Sequence, residues 1–227
     1  MKLRDQYKEV LKRLRDTYTK TPQSFLKFDN VLQLTIATVL SAQCTDKVVN
    51  RVTLELFKKY KTAEDFKNAN MVELKQTVRP TGFYNSKAKY LQGIGQKLVD
   101  EFGGEVPKDH DALMTLPGVS NKTANLVMAK GFGINIGVAV DTHVRRLASR
   151  LGWTRETKNT NRIERDLNKL IDKKDYLDVN EFLILHGRAL CGSKPKCNEC
   201  PLSGICPTGR KNLGEKPIVL TDVKYEI

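Results

Sequence analysis

The apolar residues of this chain recur at helical spacing along almost its whole length, and this pattern constrains the fold most. In residues 3–18 the apolar side chains fall on one face of a helix. Residues 30–43, NVLQLTIATVLSAQ, are nearly all apolar and predict a buried helix. The β-branched patch at residues 137–140 is too short to found a sheet. The sequence therefore predicts an all-α fold.

The chain carries a large excess of positive charge. Its 227 residues include 39 Lys and Arg against 26 Asp and Glu, a formal net charge of +13. A basic surface of this size suits DNA or RNA, although it also serves solubility. No apolar run has the length of a membrane span, and the N-terminus lacks the apolar core of a signal peptide. We expect a cytoplasmic, nucleoid-associated monomer that binds nucleic acid and has no membrane contact.

Residues 113–128, LMTLPGVSNKTANLVM, have the pattern of two helices joined by a tight turn. Pro117 ends the first helix, and Gly118 supplies a backbone conformation that residues with a Cβ resist. Residues 119–123 are then predicted to present free backbone N–H groups at the start of the second helix, where such groups bind phosphate without reading base sequence. An ordinary helix–helix turn has the same pattern, so the turn alone does not identify a nucleic-acid site.

A lysine and an aspartate near this turn are candidates for chemistry. Lys122 lies in the first turn of the second helix, where a positive charge opposes the helix dipole. A positive helix end disfavours a protonated amine and can produce a Schiff-base-forming lysine, whereas the alternative is a simple phosphate contact. Asp141, in VDTHVRR, is predicted to cap the next helix. Its functional alternative is a carboxylate that stabilises positive charge on a deoxyribose ring.

Four of the five cysteines crowd into one segment with the spacing C-x5-C-x2-C-x5-C: Cys191, Cys197, Cys200 and Cys206. Four thiolates at this spacing can bind zinc or a four-iron cluster, and four free thiols without metal are the remaining alternative. The loop between the first two carries Lys194 and Lys196, which a bound metal would hold outward as a phosphate clamp. Cys44 stands alone, and we expect it to be a buried, small apolar side chain.

Four separated motifs resemble those of one family of DNA repair enzymes. They are LSAQCTD (40–46), TGFYNSKA (81–88), LPGVSNKTANLV (116–127) and VAVDTH (138–143). The last two look like the helix-hairpin-helix and Asp motif of DNA glycosylases of the endonuclease III family, and the first two are similar to further motifs of that family. The resemblance extends in order over roughly residues 24–207, which makes it much more specific than any single motif.

The resemblance implies a bifunctional DNA glycosylase and AP lyase of base excision repair that acts on oxidised pyrimidines and abasic sites in double-stranded DNA. Lys122 would attack the sugar carbon that bears the damaged base, with Asp141 assisting. The base leaves, a Schiff base forms, and β-elimination breaks the strand on the 3′ side. Such enzymes flip the damaged nucleotide out of the duplex, and Gln43 and Phe83 would fill the gap. The hairpin residues expected to contact DNA are Gly118, Val119, Ser120 and Thr123.

The resemblance also favours a four-iron, four-sulfur cluster over zinc, with a structural and DNA-positioning role. Three features depart from the family pattern. Ser120 stands where the hairpin usually has glycine, Phe83 replaces an expected leucine, and the first gap between cysteines has five residues instead of six. Serine tolerates fewer backbone conformations than glycine, and the shorter gap requires a tighter loop. His143 fits the family motif, and we expect it to have a structural or supporting role.

We expect two lobes, with the lysine and the aspartate on opposite walls of the cleft between them. Residues 25–134 would form a helical barrel that ends in the hairpin. Residues 1–24 together with 135–210 would form the iron–sulfur cluster domain. Residues 211–227 would be a loosely attached tail.

Three alternatives to this interpretation stay open. One is a monofunctional mismatch glycosylase, against which the presence of Lys122 argues. Another is a glycosylase for oxidised purines with lyase activity, because the base pocket cannot be deduced from the sequence. The third belongs to a different class of protein: a non-catalytic DNA-binding module stabilised by metal. Loss of activity on substitution of Lys122 would exclude it.

Overall fold

The computed structural model describes residues 1–18 and 26–222, and the chain divides into two compact units. The hairpin unit comprises Pro22–Ile134, and the cysteine unit comprises Met1–Thr21 and Asn135–Ile227. In chain order the described α-helices are α1 (Leu3–Thr17), α2 (Val31–Leu40), α3 (Asp46–Lys59), α4 (Ala63–Lys67), α5 (Met71–Val78), α6 (Tyr84–Phe102), α7 (His110–Met114), α8 (Asn121–Phe132), α9 (Thr142–Leu151), α10 (Thr160–Leu170), α11 (Tyr176–Ala189) and α12 (Pro207–Asn212). Short 3₁₀ helices cover Arg79–Thr81, Lys173–Asp175, Cys197–Glu199 and Ser203–Ile205.

The prediction of an all-α fold is confirmed. Within residues 1–18 and 26–222 the β-type pairing is a single isolated parallel bridge between Lys2 and Thr221. Among the described helices, none is both long and apolar enough to cross a membrane. The predicted helix over residues 30–43 is shorter in the structure and ends at Leu40, because the chain turns and Gln43 takes a left-handed conformation with φ 53°.

The core of the hairpin unit forms around α2, which is buried along most of its length as its apolar sequence predicts. This helix packs against α3, α6 and α8. Helices α4 and α6 come very close together at Gly95, where an added Cβ would lie 2.5 Å from the backbone nitrogen of Lys67. Because glycine has no Cβ, the two backbones can touch there, which fixes α6 in the unit.

The cysteine unit has its own apolar core, in which α1 packs against α10 and α11. A buried glutamine ties this core together. The amide nitrogen of Gln6 donates to the carbonyl oxygens of Leu151, at 3.1 Å, and Ile205, at 2.8 Å. Its amide oxygen accepts from the indole N–H of Trp153 at 2.8 Å. A buried polar group is tolerated when its hydrogen bonds are made, so Gln6 can link three parts of the unit.

The predicted tail from residue 211 makes specific contacts in its described part. Helix α12 runs through that boundary to Asn212. Beyond it, the backbone N–H of Leu3 donates to the carbonyl of Thr221, and the N–H of Thr221 donates to the carbonyl of Met1. These bonds join backbone groups, which leave no pattern in the sequence. The pairing with the N-terminus could therefore not be predicted. Residues 223–227 lie outside the described part.

Candidate functional site

The hairpin in residues 113–128 has the geometry that its Pro-Gly turn predicts. Gly118 adopts a left-handed conformation with φ 75°, and a Cβ at this position would lie 2.7 Å from Cδ2 of the Tyr90 ring. Glycine is therefore required here both by the backbone conformation and by the lack of space. The N–H of Val119 donates to the carbonyl of Leu116 at 3.1 Å and closes the turn.

Ser120, which departs from the family pattern, suits its position in this hairpin. Its backbone is extended, with φ −94° and ψ 167°, so the conformational freedom of glycine is not needed. Its side chain is the N-cap of α8 and accepts from the N–H of Thr123 at 3.3 Å. The expectation that all amides of residues 119–123 are free is therefore wrong, because those of Val119 and Thr123 already donate within the hairpin.

Lys122 lies in the first turn of α8 and its side chain is exposed. The left-handed turn at Gly118 and the cap at Ser120 fix the start of this helix, and so fix the position of the lysine. An exposed lysine at a helix N-terminus does not stabilise the helix through the dipole. The position of Lys122 has no explanation in the stability of α8, and its amine is available to a ligand.

Asp141 is the N-cap of α9, as predicted. Its Oδ1 accepts from the backbone N–H groups of His143 and Val144, both at 2.8 Å. Both hydrogen bonds use the same carboxylate oxygen. The cap therefore holds the carboxylate in a fixed orientation, and its Oδ2 takes no part in these two bonds.

His143 sits among basic groups and against the backbone of α11. Its Nδ1 lies 3.0 Å from Nη2 of Arg146. Burial lowers the pKa of His143, and the positive charges of Arg146 and Arg188 act in the same direction, whereas Asp141 opposes them. A Cβ at Gly187 would lie 2.7 Å from Nδ1 of His143. The neutral ring therefore fills a confined space, which agrees with a structural or supporting role.

Gln43 and Phe83 share an uncommon backbone conformation. Both are left-handed, with φ 53° and 48°, and both side chains are exposed, Phe83 to 65%. Side-chain-bearing residues rarely adopt this conformation, and an exposed phenylalanine gains nothing from burial. Each residue follows the end of a helix: α2 precedes Gln43, and the 3₁₀ helix Arg79–Thr81 precedes Phe83. The sequence motifs identified the two residues but did not predict this backbone conformation.

The four clustered cysteines line one cavity of the cysteine unit. Its wall also includes apolar side chains and one histidine: Leu147, Leu151, Leu190, Pro195, Leu202 and His186. Among the described residues, no three His, Cys, Asp or Glu side chains are grouped closely enough to hold a metal ion. Soft thiolates are donors for zinc and for iron–sulfur clusters, and an apolar wall keeps water from such a group. The type of donor and the apolar wall therefore suit zinc or an iron–sulfur cluster, while the four side chains of this structure are not grouped at metal-binding distance.

Each of the four sulfur atoms has an N–H group within hydrogen-bond distance. The pairs are Arg150 Nη1 with Cys191 Sγ at 3.1 Å, Asn212 Nδ2 with Cys197 Sγ at 3.3 Å, the N–H of Leu202 with Cys200 Sγ at 3.4 Å, and the N–H of Gly209 with Cys206 Sγ at 3.4 Å. Such donors favour the charged thiolate that binds metal. Sequence reasoning missed Arg150 and Asn212, because neither lies within the cysteine segment.

Burial opposes ionisation of two of these thiols in the absence of metal. It raises the pKa of Cys206 to about 11 and also raises that of Cys200. A metal ion binds the thiolate and releases its proton, so binding would reverse this preference. Without metal, these two partly buried thiols are therefore weaker acids than an exposed cysteine.

The loop with Lys194 and Lys196 is held by the same arginine that contacts Cys191. Nη1 of Arg150 donates to the carbonyl of Gly192 at 2.7 Å, and Nη2 donates to that of Ser193 at 3.1 Å. Both lysine side chains are exposed, as expected of a phosphate clamp. Arg150 thus connects the metal-ligand segment to the basic loop.

Cys44 differs from its predicted environment. It is half-buried, not fully buried, and it packs at the edge of the core of the hairpin unit. Its Sγ lies 3.8 Å from the carbonyl oxygen of Thr45. The turn after α2 brings this residue toward the surface, which the apolar character of the preceding helix did not predict.

Comparison with known proteins identifies the family. Residues 36–173 match the HhH-GPD superfamily of base excision DNA repair proteins. The chain is 47% identical to endonuclease III of Synechocystis sp. over 203 residues, covering 89% of this chain and 92% of the relative. It is 43% identical to endonuclease III of Bacillus subtilis over 187 residues, covering 82% and 85% of the two chains.

Solved structures agree with this comparison. An endonuclease III trapped as a covalent intermediate with DNA, in an estranged-adenine complex, matches with a TM-score of 0.86 and 39% identity, covering 92% of this chain and 98% of that chain. A thermostable thymine-DNA glycosylase matches with a TM-score of 0.82 and 22% identity, which shows a common fold. The chain therefore belongs to the endonuclease III family of the HhH-GPD superfamily, and it is a DNA glycosylase and AP lyase of base excision repair.

Proposed function

We propose that Lys122 is the nucleophile of this enzyme and that Asp141 assists it, on oxidised pyrimidines and abasic sites in double-stranded DNA. The observation that carries the proposal is the exposed amine of Lys122 at the start of α8, where it does not favour the helix. The relative trapped as a covalent intermediate with DNA supports a covalent mechanism. A monofunctional glycosylase would not need an amine at this position.

The reaction begins with the neutral amine of Lys122. Its lone pair attacks C1′ of the damaged nucleotide, and the base leaves with the electrons of the glycosidic bond and takes up a proton. The sugar ring opens to a protonated Schiff base between C1′ and the lysine nitrogen. Loss of a proton from C2′ then expels the 3′ phosphate and breaks the strand. At a pre-existing abasic site the amine condenses with the aldehyde and releases water.

Asp141 contributes a negative charge to these reaction steps. A carboxylate stabilises the positive charge that develops on the sugar as the base leaves, as in glycoside cleavage. It can also accept the proton that the attacking amine loses. Because the cap bonds of α9 use Oδ1, the carboxylate can keep its orientation while Oδ2 serves the reaction.

Gln43 and Phe83 are proposed to occupy the space that the flipped nucleotide leaves. Phe83 offers an exposed ring that can stack on a base, and Gln43 offers amide donors and an acceptor for the opposite base. The estranged-adenine complex of the relative supports such a separation of the two bases. Gly118 and Ser120 at the hairpin turn, and Lys194 and Lys196, would contact phosphates.

We propose that Cys191, Cys197, Cys200 and Cys206 hold a four-iron, four-sulfur cluster. When bound, this group supplies a covalent cross-link within the cysteine unit and takes no part in bond cleavage. The shared cavity, the thiolate donors and the four N–H groups at the sulfur atoms support the proposal. We further propose that the enzyme acts as a monomer on cytoplasmic, nucleoid DNA, to which its net charge of +13 suits it.

The test uses a duplex with one oxidised pyrimidine, and it measures base release and strand cleavage separately. We expect both, with a 3′ unsaturated aldehyde as the product of β-elimination. Base release without cleavage would instead show a monofunctional glycosylase. Preference for a duplex with an oxidised purine would show that the enzyme acts on oxidised purines instead. Binding of DNA without base release or strand cleavage would contradict the enzymatic role.

A further inference from the structure

A buried lysine of the hairpin unit lies apart from the residues assigned to the reaction. Lys87 in α6 is only 3% exposed. Its Nζ donates to the carbonyl oxygen of Leu40 at 2.8 Å and to that of Thr81 at 2.7 Å. Leu40 is the last residue of α2, and Thr81 is the last residue of the 3₁₀ helix Arg79–Thr81. One side chain thus binds the ends of two separate elements.

These two ends lead directly to the two exposed left-handed residues. Gln43 follows Leu40 after a short turn, and Phe83 follows Thr81 after Gly82. The backbone of Lys87 adds a further bond, because its N–H donates to the carbonyl of Phe83 at 3.0 Å. Lys87 therefore contacts the backbone on the approach to both residues. It thus links the segment before the Gln43 turn to the segment before the Phe83 turn.

Core packing alone does not explain a lysine here. Burial lowers the pKa of Lys87, which means that the surroundings oppose its charge. An apolar side chain of similar size would avoid this penalty, but it would leave two buried carbonyl groups without their donor. The ammonium group also suits the negative end of α2, to which Leu40 belongs. The arrangement favours a fixed geometry over maximal stability.

We infer that Lys87 is a positioning residue that sets the distance between Gln43 and Phe83, so that both side chains enter the gap of a flipped nucleotide together. The inference rests on the proposed function of those two residues. Their left-handed backbones are unfavourable by themselves and persist only when neighbouring structure holds them. The two bonds from Lys87 tie both turns to α6. Without them, each turn could relax independently of the other.

The test compares Lys87→Met, which keeps the length but not the donors, with Lys97→Met. Lys97 lies further along α6 and pairs with Glu101 at the surface, so its substitution removes the same charge at little cost to stability. One reaction is single-turnover excision from a lesion duplex. In this reaction Gln43 and Phe83 are proposed to fill the gap that the flipped nucleotide leaves. The other is cleavage of a single-stranded abasic oligonucleotide, which has no opposite base to displace.

We expect Lys87→Met to slow excision from the duplex by about tenfold to a hundredfold, as misplacement of positioning groups does. Cleavage of the single strand should change far less, and Lys97→Met should resemble the wild type in both reactions. A second readout needs no turnover: 2-aminopurine opposite a tetrahydrofuran site reports unstacking of the opposite base at saturating protein. We expect a smaller fluorescence change with Lys87→Met.

A combined variant separates positioning from general stability. In a Gln43→Ala, Phe83→Ala background, Lys87→Met should cause little further loss on the duplex, because its effect acts through those side chains. If Lys87→Met does not fold, Lys87→Gln replaces it, since its shorter amide cannot reach both carbonyls. Equal losses on duplex and single strand would overturn the inference, as would unchanged fluorescence. Inactive wild type on both substrates would instead contradict the proposed function.

Discussion

At the scale of single residues, Gly118 shows how strictly the hairpin turn is determined. We predict that Gly118→Ala destabilises the protein more than Gly133→Ala, although the two positions have nearly the same left-handed φ of 75° and 70°. The backbone penalty is about 1–2 kcal/mol for each. Only at Gly118 does the new Cβ meet a ring, that of Tyr90 at 2.7 Å, which adds about 1–3 kcal/mol.

Urea denaturation of the two variants measures this difference in the free energy of unfolding. Gly133→Ala is a matched control because Gly133 ends α8, whose start the hairpin turn sets, and its added Cβ meets nothing within 4 Å. Equal losses of stability would show that Tyr90 moves aside freely. The space at Gly118 would then be no constraint on the turn.

Some residues of the site could be predicted from local sequence and some could not. Capping by Asp141 follows from its position before a helix, and a cap involves only neighbouring residues. The suitability of Ser120 could not be predicted because a sequence motif does not reveal φ, and its backbone is extended in the structure. Arg150 could not be identified, since its contact with Cys191 joins residues 41 positions apart. Lys87 resembles any other lysine until its burial is known.

At the scale of elements, two substitutions at the start of α9 separate the capping role of Asp141 from its proposed role in the reaction. We predict that Asp141→Asn keeps the stability of the wild type, because asparagine is an equally good N-cap. Asp141→Ala should lose about 1 kcal/mol, since two backbone N–H groups lose their acceptor. Base excision should fall by about 10²–10³ in both variants, because neither carries the negative charge.

Thermal unfolding and single-turnover excision, measured on the same preparations, test this prediction. Asp141→Asn with wild-type excision would show that the carboxylate serves only as a cap. A large loss of stability in Asp141→Asn would show that the charge itself holds α9, and loss of activity could not then be assigned to the reaction.

Elements were predicted better than their ends. Periodicity located the longer helices because these present apolar side chains to one of the two cores, as the buried Leu34 of α2 and Val144 of α9 do. The end of α2 was missed because Gln43 takes a left-handed conformation that no local signal demands. The attachment of the tail was missed because backbone bonds between Thr221 and residues 1–3 carry no side-chain pattern.

At the scale of the whole molecule, the described residues form two apolar cores, one in each unit. The assignment of one as a helical barrel and the other as an iron–sulfur domain stays a prediction. The proposed cluster would cross-link only the cysteine unit. Removal of the metal should therefore loosen that unit and leave the hairpin unit unchanged. We predict that Cys206→Ser lowers protection from hydrogen exchange in residues 135–222 and 1–18, while residues 26–134 keep theirs.

Hydrogen exchange followed by mass spectrometry resolves the two units. Cys44→Ser is a suitable control, since it removes a thiol outside the cysteine cluster. Uniform loss of protection along the chain would show that the units do not unfold separately. No change in either unit would contradict a structural role for a metal at the four cysteines.

The central claim is that Lys122 forms a Schiff base with DNA, and borohydride trapping tests it most directly. The substrate is a duplex with one abasic site, and wild type is compared with Lys122→Ala and with Lys130→Ala, which changes another lysine of α8. Borohydride reduces a Schiff base to a stable covalent adduct. We predict an adduct with wild type and with Lys130→Ala, and none with Lys122→Ala. No adduct with wild type, or an undiminished adduct with Lys122→Ala, would contradict the account.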